Sequence, residues 1–189
     1  MIGYAICGSF CTHKKSLEIL EKIKDVYKDV LPIISENSST TDTRFGTHNE
    51  LTDKVSSICG VQPITTIKDA EPLGPKIKLD LLIIAPCTGN TLAKLANGIT
   101  DTCVTMAAKA HMRNSRPLLL ALASNDGLSA NLYNISLMLN KKSVYFVPMI
   151  QDDVIKKPHS LVSDFDLIPE CASLAHSGVQ SRPLFKTIL

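Results

Sequence analysis

Short runs of consecutive apolar residues alternate along this chain with longer segments whose apolar positions recur at helical spacing. Ile2–Cys7, Val30–Ile34, Asp80–Ala85, Pro117–Ala123 and Val144–Pro148 read as strands, and near-continuous apolar runs suit strands covered on both faces. A helix is predicted from the turn after Cys7 to about Val30, with Leu17, Leu20, Ile23 and Tyr27 as its stripe and Ile19 and Val26 widening it. Asn49–Ile58 reads as a short helix with Leu51 and Val55 inward. Thr91–Asn97 reads as another, with Leu92, Leu95 and Ala96 on one face. A longer one runs from about Asp101 to Arg113, capped by Asp101 or Thr100. Ser129–Asn140 is helical, and Ser160–Leu174 is amphipathic through Leu161, Phe165, Ile168 and Cys171, with Pro169 as a breaker. Ser35–Thr47 reads as a polar loop, functional or a surface excursion. Thr65–Leu79 and the tail after Ser177 read as irregular, and Arg182–Leu189 either docks on a partner or stays unstructured.

Strands alternating with amphipathic helices predict an α/β fold of Rossmann-like, flavodoxin-type architecture: three layers, with a mainly parallel sheet. The 189 residues suffice for one domain spanning 1–189. Right-handed crossovers bring the turns after the strands to one edge of the sheet. Those turns are Gly8-Ser9-Phe10, Ser35 onward, Pro86–Thr91 and Ser124–Gly127, all rich in small polar residues. Open α/β sheets bind ligands at that edge, and a helix N-terminus there suits an anion. Asp80–Ala85 is the expected central strand, with Pro86 ending its ladder because it lacks an N–H.

Composition narrows the function classes. A net charge of +2 with scattered basic residues gives no argument for a nucleic-acid binder, and none is expected as partner. No apolar run approaches the roughly 18 residues of a membrane-spanning helix. The opening MIGYAICGSF runs straight into a strand pattern and does not read as a signal peptide. Six cysteines without a CxxC suit packed thiols in a reducing cytoplasm. Five histidines form no HxxH, HExxH or Cys/His cluster, so no metal site is expected.

Several residues could carry chemistry. Gly8-Ser9 can cradle a phosphate or simply cap a helix, and neither GxGxxG nor GxxxxGK[ST] is present. Thr88-Gly89-Asn90-Thr91 has more polar groups around its glycine than a plain helix cap needs. Arg44 can clamp a carboxylate or phosphate, or be a solvated loop arginine. Cys87 stands where a helix N-terminus could lower a thiol's pKa, although packing is the favoured reading. His48 can act as an acid or base beside the polar loop, or be the exposed start of a helix. Lys76 and Lys78 can attract an anionic substrate or solvate their loop.

APCTGNTLAKLANGITD resembles the PASANT…AKIANGI.D segment of the flavin-containing cysteine decarboxylase superfamily, and CGSF resembles that group's Gly-Ser phosphate loop. The resemblance implies FMN and a trimer-based homo-oligomer. Gly8, Ser9 and Phe10 would meet the flavin phosphate side, and Ser35 would contact the cofactor at the end of the second strand. Pro86, Cys87, Thr88, Gly89, Asn90 and Thr91 would form the flavin-binding turn, with Ser124 and Asn125 bordering the ring or substrate. Two family elements are missing: Pro72–Asp80 holds no catalytic His, and LALASNDGLSANLYN replaces the PxMN motif. TDTRFGT, AEPLGPKIKLDLLIIAP.TGN, MAAKA..RN and YFVP..QDD..KKP together resemble the family of dipicolinate synthase B chains. That resemblance implies oxidation of dihydrodipicolinate to pyridine-2,6-dicarboxylate in the mother-cell cytoplasm of a sporulating bacterium. It implies a nicotinamide-dependent dehydrogenase-like A chain as partner and FMN, or else NADPH, as acceptor. The dianionic dihydropyridine dicarboxylate would need cationic clamps, Arg44 first and Lys76 second, with His48 as the base. The alternative is a non-catalytic assembly or substrate-binding subunit.

Overall fold

A computed structural model describes residues 1–186; the end of the Arg182–Leu189 segment, 187–189, lies outside them. The chain runs through β1 (Ile2–Ile6), α1 (His13–Tyr27), β2 (Val30–Ile34), α2 (Glu36–Thr40), α3 (His48–Cys59), α4 (Ile67–Ala70) and β3 (Leu81–Thr88). It continues through α5 (Gly89–Ala96), α6 (Cys103–Met112), β4 (Leu118–Ser124), α7 (Leu132–Leu139), β5 (Val144–Phe146), β6 (Met149–Ile150), β7 (Leu161–Ser163) and α8 (Ile168–His176). The sheet order is β2-β1-β3-β4-β7-β6, and β5 also pairs with β4. Strands β1 to β5 pair in parallel, whereas β7 is antiparallel to both β4 and β6.

Side chains of the central strands alternate between two apolar cores, as period-two strands covered on both faces must. Ile2, Tyr4, Ile6, Leu81, Ile83, Leu119 and Ala121 face the core built by α1, α3 and α8. Ala5, Cys7, Leu82, Ile84, Leu118, Leu120 and Leu122 face the one built by α5, α6 and α7. The Tyr4 hydroxyl donates to the Ser16 carbonyl (3.0 Å), and the Ser16 hydroxyl donates to the Ala85 carbonyl, fastening α1 across β1 and β3. Pro32 is tolerated because β2 is an edge strand. Its carbonyl accepts from Ile64 N–H (2.9 Å) on the outer side, where the missing N–H also falls.

The structure amends several predicted boundaries. Pro86 does not end the ladder: the register shifts between Ile84 and Cys87 and pairing resumes at Cys87 and Thr88. Ser35–Thr47 is not all loop, since the Ser35 hydroxyl accepts from Ser38 N–H and caps α2. Val26 is 67% exposed, outside the buried stripe. Thr102, not Asp101 or Thr100, caps α6 in a reciprocal pair with Thr105. Val144–Phe146 is followed by β6 and β7, so Leu161–Ser163 is strand rather than helix. Pro169 sits in the first turn of α8, where its missing N–H costs nothing.

Candidate functional site

The strand order reverses between β1 and β3, so the chain leaves these neighbouring strands in opposite directions and opens a crevice at their C-terminal ends. Two cavities of about 460 Å³ each meet there, sharing Gly8, Thr88 and Asn90. One extends over Ser35, Glu36, Thr91, Lys94 and Thr102, the other over Ser9, Phe10, Phe45, Ser124, Asn125 and Lys157. Volumes of roughly 300–1,000 Å³ are usual for small-molecule sites. The turns after β1, β2, β3 and β4 therefore converge.

Local chemistry sets each turn. Thr88 caps α5, its hydroxyl accepting from Thr91 N–H (3.2 Å). Thr91 in turn donates to the Cys7 sulfur (3.4 Å), tying α5 back to the end of β1. Pro86 contributes through its carbonyl, which accepts from Cys7 N–H (3.2 Å). Gly89 must be small: a Cβ there would lie 2.5 Å from both Ser124 Oγ and Asn131 Nδ2, and 2.9 Å from Asp126 Oδ1. Ser124 and Asn131 (2.8 Å) both donate to Asp126 Oδ1. The Ser124 hydroxyl first, then the Asn131 amide, holds the Asp126 carboxyl below the usual carboxylate range despite partial burial.

Glu36 stands at the floor of the first cavity. Its Oε1 accepts from Cys103 N–H at the start of α6 (2.7 Å). Its Oε2 is buried with no partner among the described residues. An unpartnered buried acceptor is costly, and a ligand hydroxyl or N–H would satisfy it once the carboxylate turns toward the cavity. Lys94 is drawn off by Asp101 (2.8 Å), and Lys157 by Asp152 (2.8 Å) at the rim of the second cavity.

Gly8, Ser9, Phe10, Ser35, Thr88, Gly89, Asn90, Thr91, Ser124 and Asn125 all lie along the two cavities. Cys87 does not. Its side chain is fully buried in the core beneath α5, and burial pushes its thiol well above the usual range. Lys76 is a further correction: it lies in the turn leading into the N-terminal end of β3, at the opposite edge of the sheet. Arg44 is exposed, its guanidinium 4.9 Å from the Phe45 ring centroid, and does not line the cleft. His48 begins α3 beside the cleft, lining a separate cavity that shares Phe10 and Phe45 with it. Sequence reasoning passed over Glu36, Phe45, Asp126 and Lys157. The Ser-x-Asp spacing of Ser124 and Asp126 was the available signal for Asp126. Among the described residues no group of three or more His, Cys, Asp or Glu could hold a metal ion. No helix among them is long and apolar enough to cross a membrane.

The Flavoprotein family profile matches residues 2–160. The chain is 40% identical over 183 residues to the B subunit of dipicolinate synthase from Bacillus subtilis (strain 168), covering 97% of this chain and 92% of that one. The crystal structure of the corresponding B subunit from Bacillus halodurans C superposes with a TM-score of 0.90 at 36% identity, covering 100% of this chain and 96% of that one. The FMN-dependent cysteine decarboxylase SpaF shares the fold at a TM-score of 0.66 and 18% identity, over 93% and 96% of the two chains. The chain belongs to the Flavoprotein family, in the group of dipicolinate synthase B subunits.

Proposed function

We propose that this chain is the flavin-binding redox component of a dipicolinate synthase, oxidising dihydrodipicolinate to pyridine-2,6-dicarboxylate during sporulation. The observation that carries the reading is the meeting of the Gly8–Phe10 and Thr88–Thr91 turns in one cleft. FMN suits that cleft. Gly8 and Ser9 offer a close backbone and a hydroxyl to a phosphate. Asn90 and Asn125 offer amides, and Glu36 has an unused acceptor for a hydroxyl of the polyol chain. The family match favours flavin over NADPH.

A bound flavin would supply a two-electron acceptor. Aromatisation drives the reaction, so the protein's task is orientation and the exclusion of competing water. Ser124 and Asn125 would border the reacting ring, with Phe10 and Phe45 as an apolar wall. Arg44, exposed beside Phe45, is the proposed cationic clamp for the substrate. The wider reading is a single flavoprotein-like domain over 1–189, a trimer-based homo-oligomer and a nicotinamide-dependent A chain as partner in the mother-cell cytoplasm.

The test is an FMN titration of the purified chain followed by absorbance and fluorescence. Saturable binding that Asn90→Ala weakens at least tenfold supports the reading. No binding, alone or with a dehydrogenase-type partner, sinks it. One observation favours a second reading, a non-catalytic assembly or substrate-binding subunit: among the described residues no histidine lines the cleft itself.

A further inference from the structure

Beside the cleft lies a smaller cavity of about 190 Å³, walled by Phe10 and Phe45 and bordered by His13, Lys14, His48 and Lys54. The two phenylalanines also line the cleft. We propose that this cavity seats a small dianionic ring compound, and that His48, oriented by Asp42, exchanges a proton with it. The inference rests on the oxidation proposed above and supplies the acid–base residue that the cleft lacks.

Geometry fixes the imidazole. One oxygen, Asp42 Oδ1, accepts from both His48 N–H (3.0 Å) and His48 Nδ1 (2.7 Å). A carboxylate on Nδ1 places the proton there and leaves the Nε2 lone pair available, the arrangement a general base needs. Nε2 has no protein partner among the described residues. Asp42 is thus a positioning residue.

Charge and size fix the ligand class. Neither Lys14 nor Lys54 forms an ion pair within 4.0 Å among the described residues. The carboxylate on this side, Glu50, is committed to Thr47 N–H (2.9 Å) as part of a helix cap. Two ammonium groups beside two phenylalanine rings suit a flat ring bearing two carboxylates. The volume is below the roughly 300 Å³ at which drug-sized sites begin, which suits one ring rather than a nucleotide. In the oxidation, a flavin held in the cleft would serve as the two-electron acceptor for one ring hydrogen, leaving as hydride. The second hydrogen leaves as a proton to His48 Nε2, and the electron pair of its bond completes the aromatic ring.

The probe is pyridine-2,6-dicarboxylate itself, titrated calorimetrically into the full-length chain. The hydrogen bonds from His48, backbone N–H first, hold the Asp42 carboxyl below the usual carboxylate range, so it stays an acceptor for the ring. His48→Gln should leave dicarboxylate affinity within about threefold while lowering turnover of the dihydro compound by at least about a hundredfold. Asp42→Asn should lower turnover by a smaller factor without abolishing binding. Lys14→Met with Lys54→Met should weaken binding at least tenfold, with unchanged circular dichroism. FMN binding without any binding of the dicarboxylate would overturn this inference and leave the flavin reading intact. Dicarboxylate binding without FMN would do the reverse. Equal affinity and equal turnover in all variants would move the ligand elsewhere and overturn the assignment.

Discussion

Gly89 and Ser124 stand so close that a single added carbon on the first would lie 2.5 Å from the hydroxyl of the second. The turn after β3 and the turn after β4 are therefore set at a spacing that a side chain at position 89 would force apart. The Ser124 hydroxyl is not free to swing away, because it donates to Asp126, which Asn131 also holds.

Gly89→Ala should therefore destabilise the fold by about 1–3 kcal/mol, the usual cost of overpacking. For a chain of this size that corresponds to about 2–4 °C in Tm per kcal/mol. Adding Ser124→Ala removes one of the crowded atoms, so the double variant should be more stable than the sum of the single changes allows. A strictly additive thermal-melt result would mean that the two positions do not press on each other.

Much of this site was legible before the structure. The small polar residues after each apolar run marked the right edge of the sheet, and the Gly8, Thr88–Thr91 and Ser124–Asn125 positions all reach the cleft. What escaped were features set by packing across the chain. Nothing local distinguishes Glu36, since its meaning comes from Cys103, far along the sequence. Lys157 reaches the rim only because β7 pairs antiparallel with the far end of β4, and Leu161–Ser163 is too short to show a strand period. Cys87 sits at the start of a helix, but the register shift between Ile84 and Cys87 breaks the strand alternation and turns its thiol into the core that Ile84 faces, in keeping with the packing reading and away from the cleft.

Acid should unfold the protein partly through Asp126. Its carboxyl is held below the ordinary value of about 3.9 in the fold, so the unfolded chain binds the proton more readily. The stability it contributes is complete above that ordinary value and is lost as pH falls through the lower folded value. Asn131→Ala removes one of the two donors, which raises the folded value and narrows this window. Its acid midpoint, followed by circular dichroism, should lie at higher pH than that of the parent. An unchanged midpoint would detach Asp126 from the network.

Thiol labelling should single out Cys11. It is exposed and lines the cleft, whereas Cys7, Cys59, Cys87, Cys103 and Cys171 are buried with thiols pushed upward by burial, Cys7 and Cys59 to about 11. Iodoacetamide at pH 8 followed by mass spectrometry should modify Cys11 first, and a bound cleft ligand should slow that reaction. Labelling of Cys87 at a comparable rate in the folded protein would contradict its place in the core.

Phe10 and Phe45 belong to both the cleft and the smaller cavity. Occupants of the two cavities would touch the same two rings, so a shift of either ring would be felt at both. By thermodynamic linkage, whatever factor one occupant adds to the other's binding is returned in equal measure. Two shared side chains would thus tie the occupancy of each cavity to that of its neighbour.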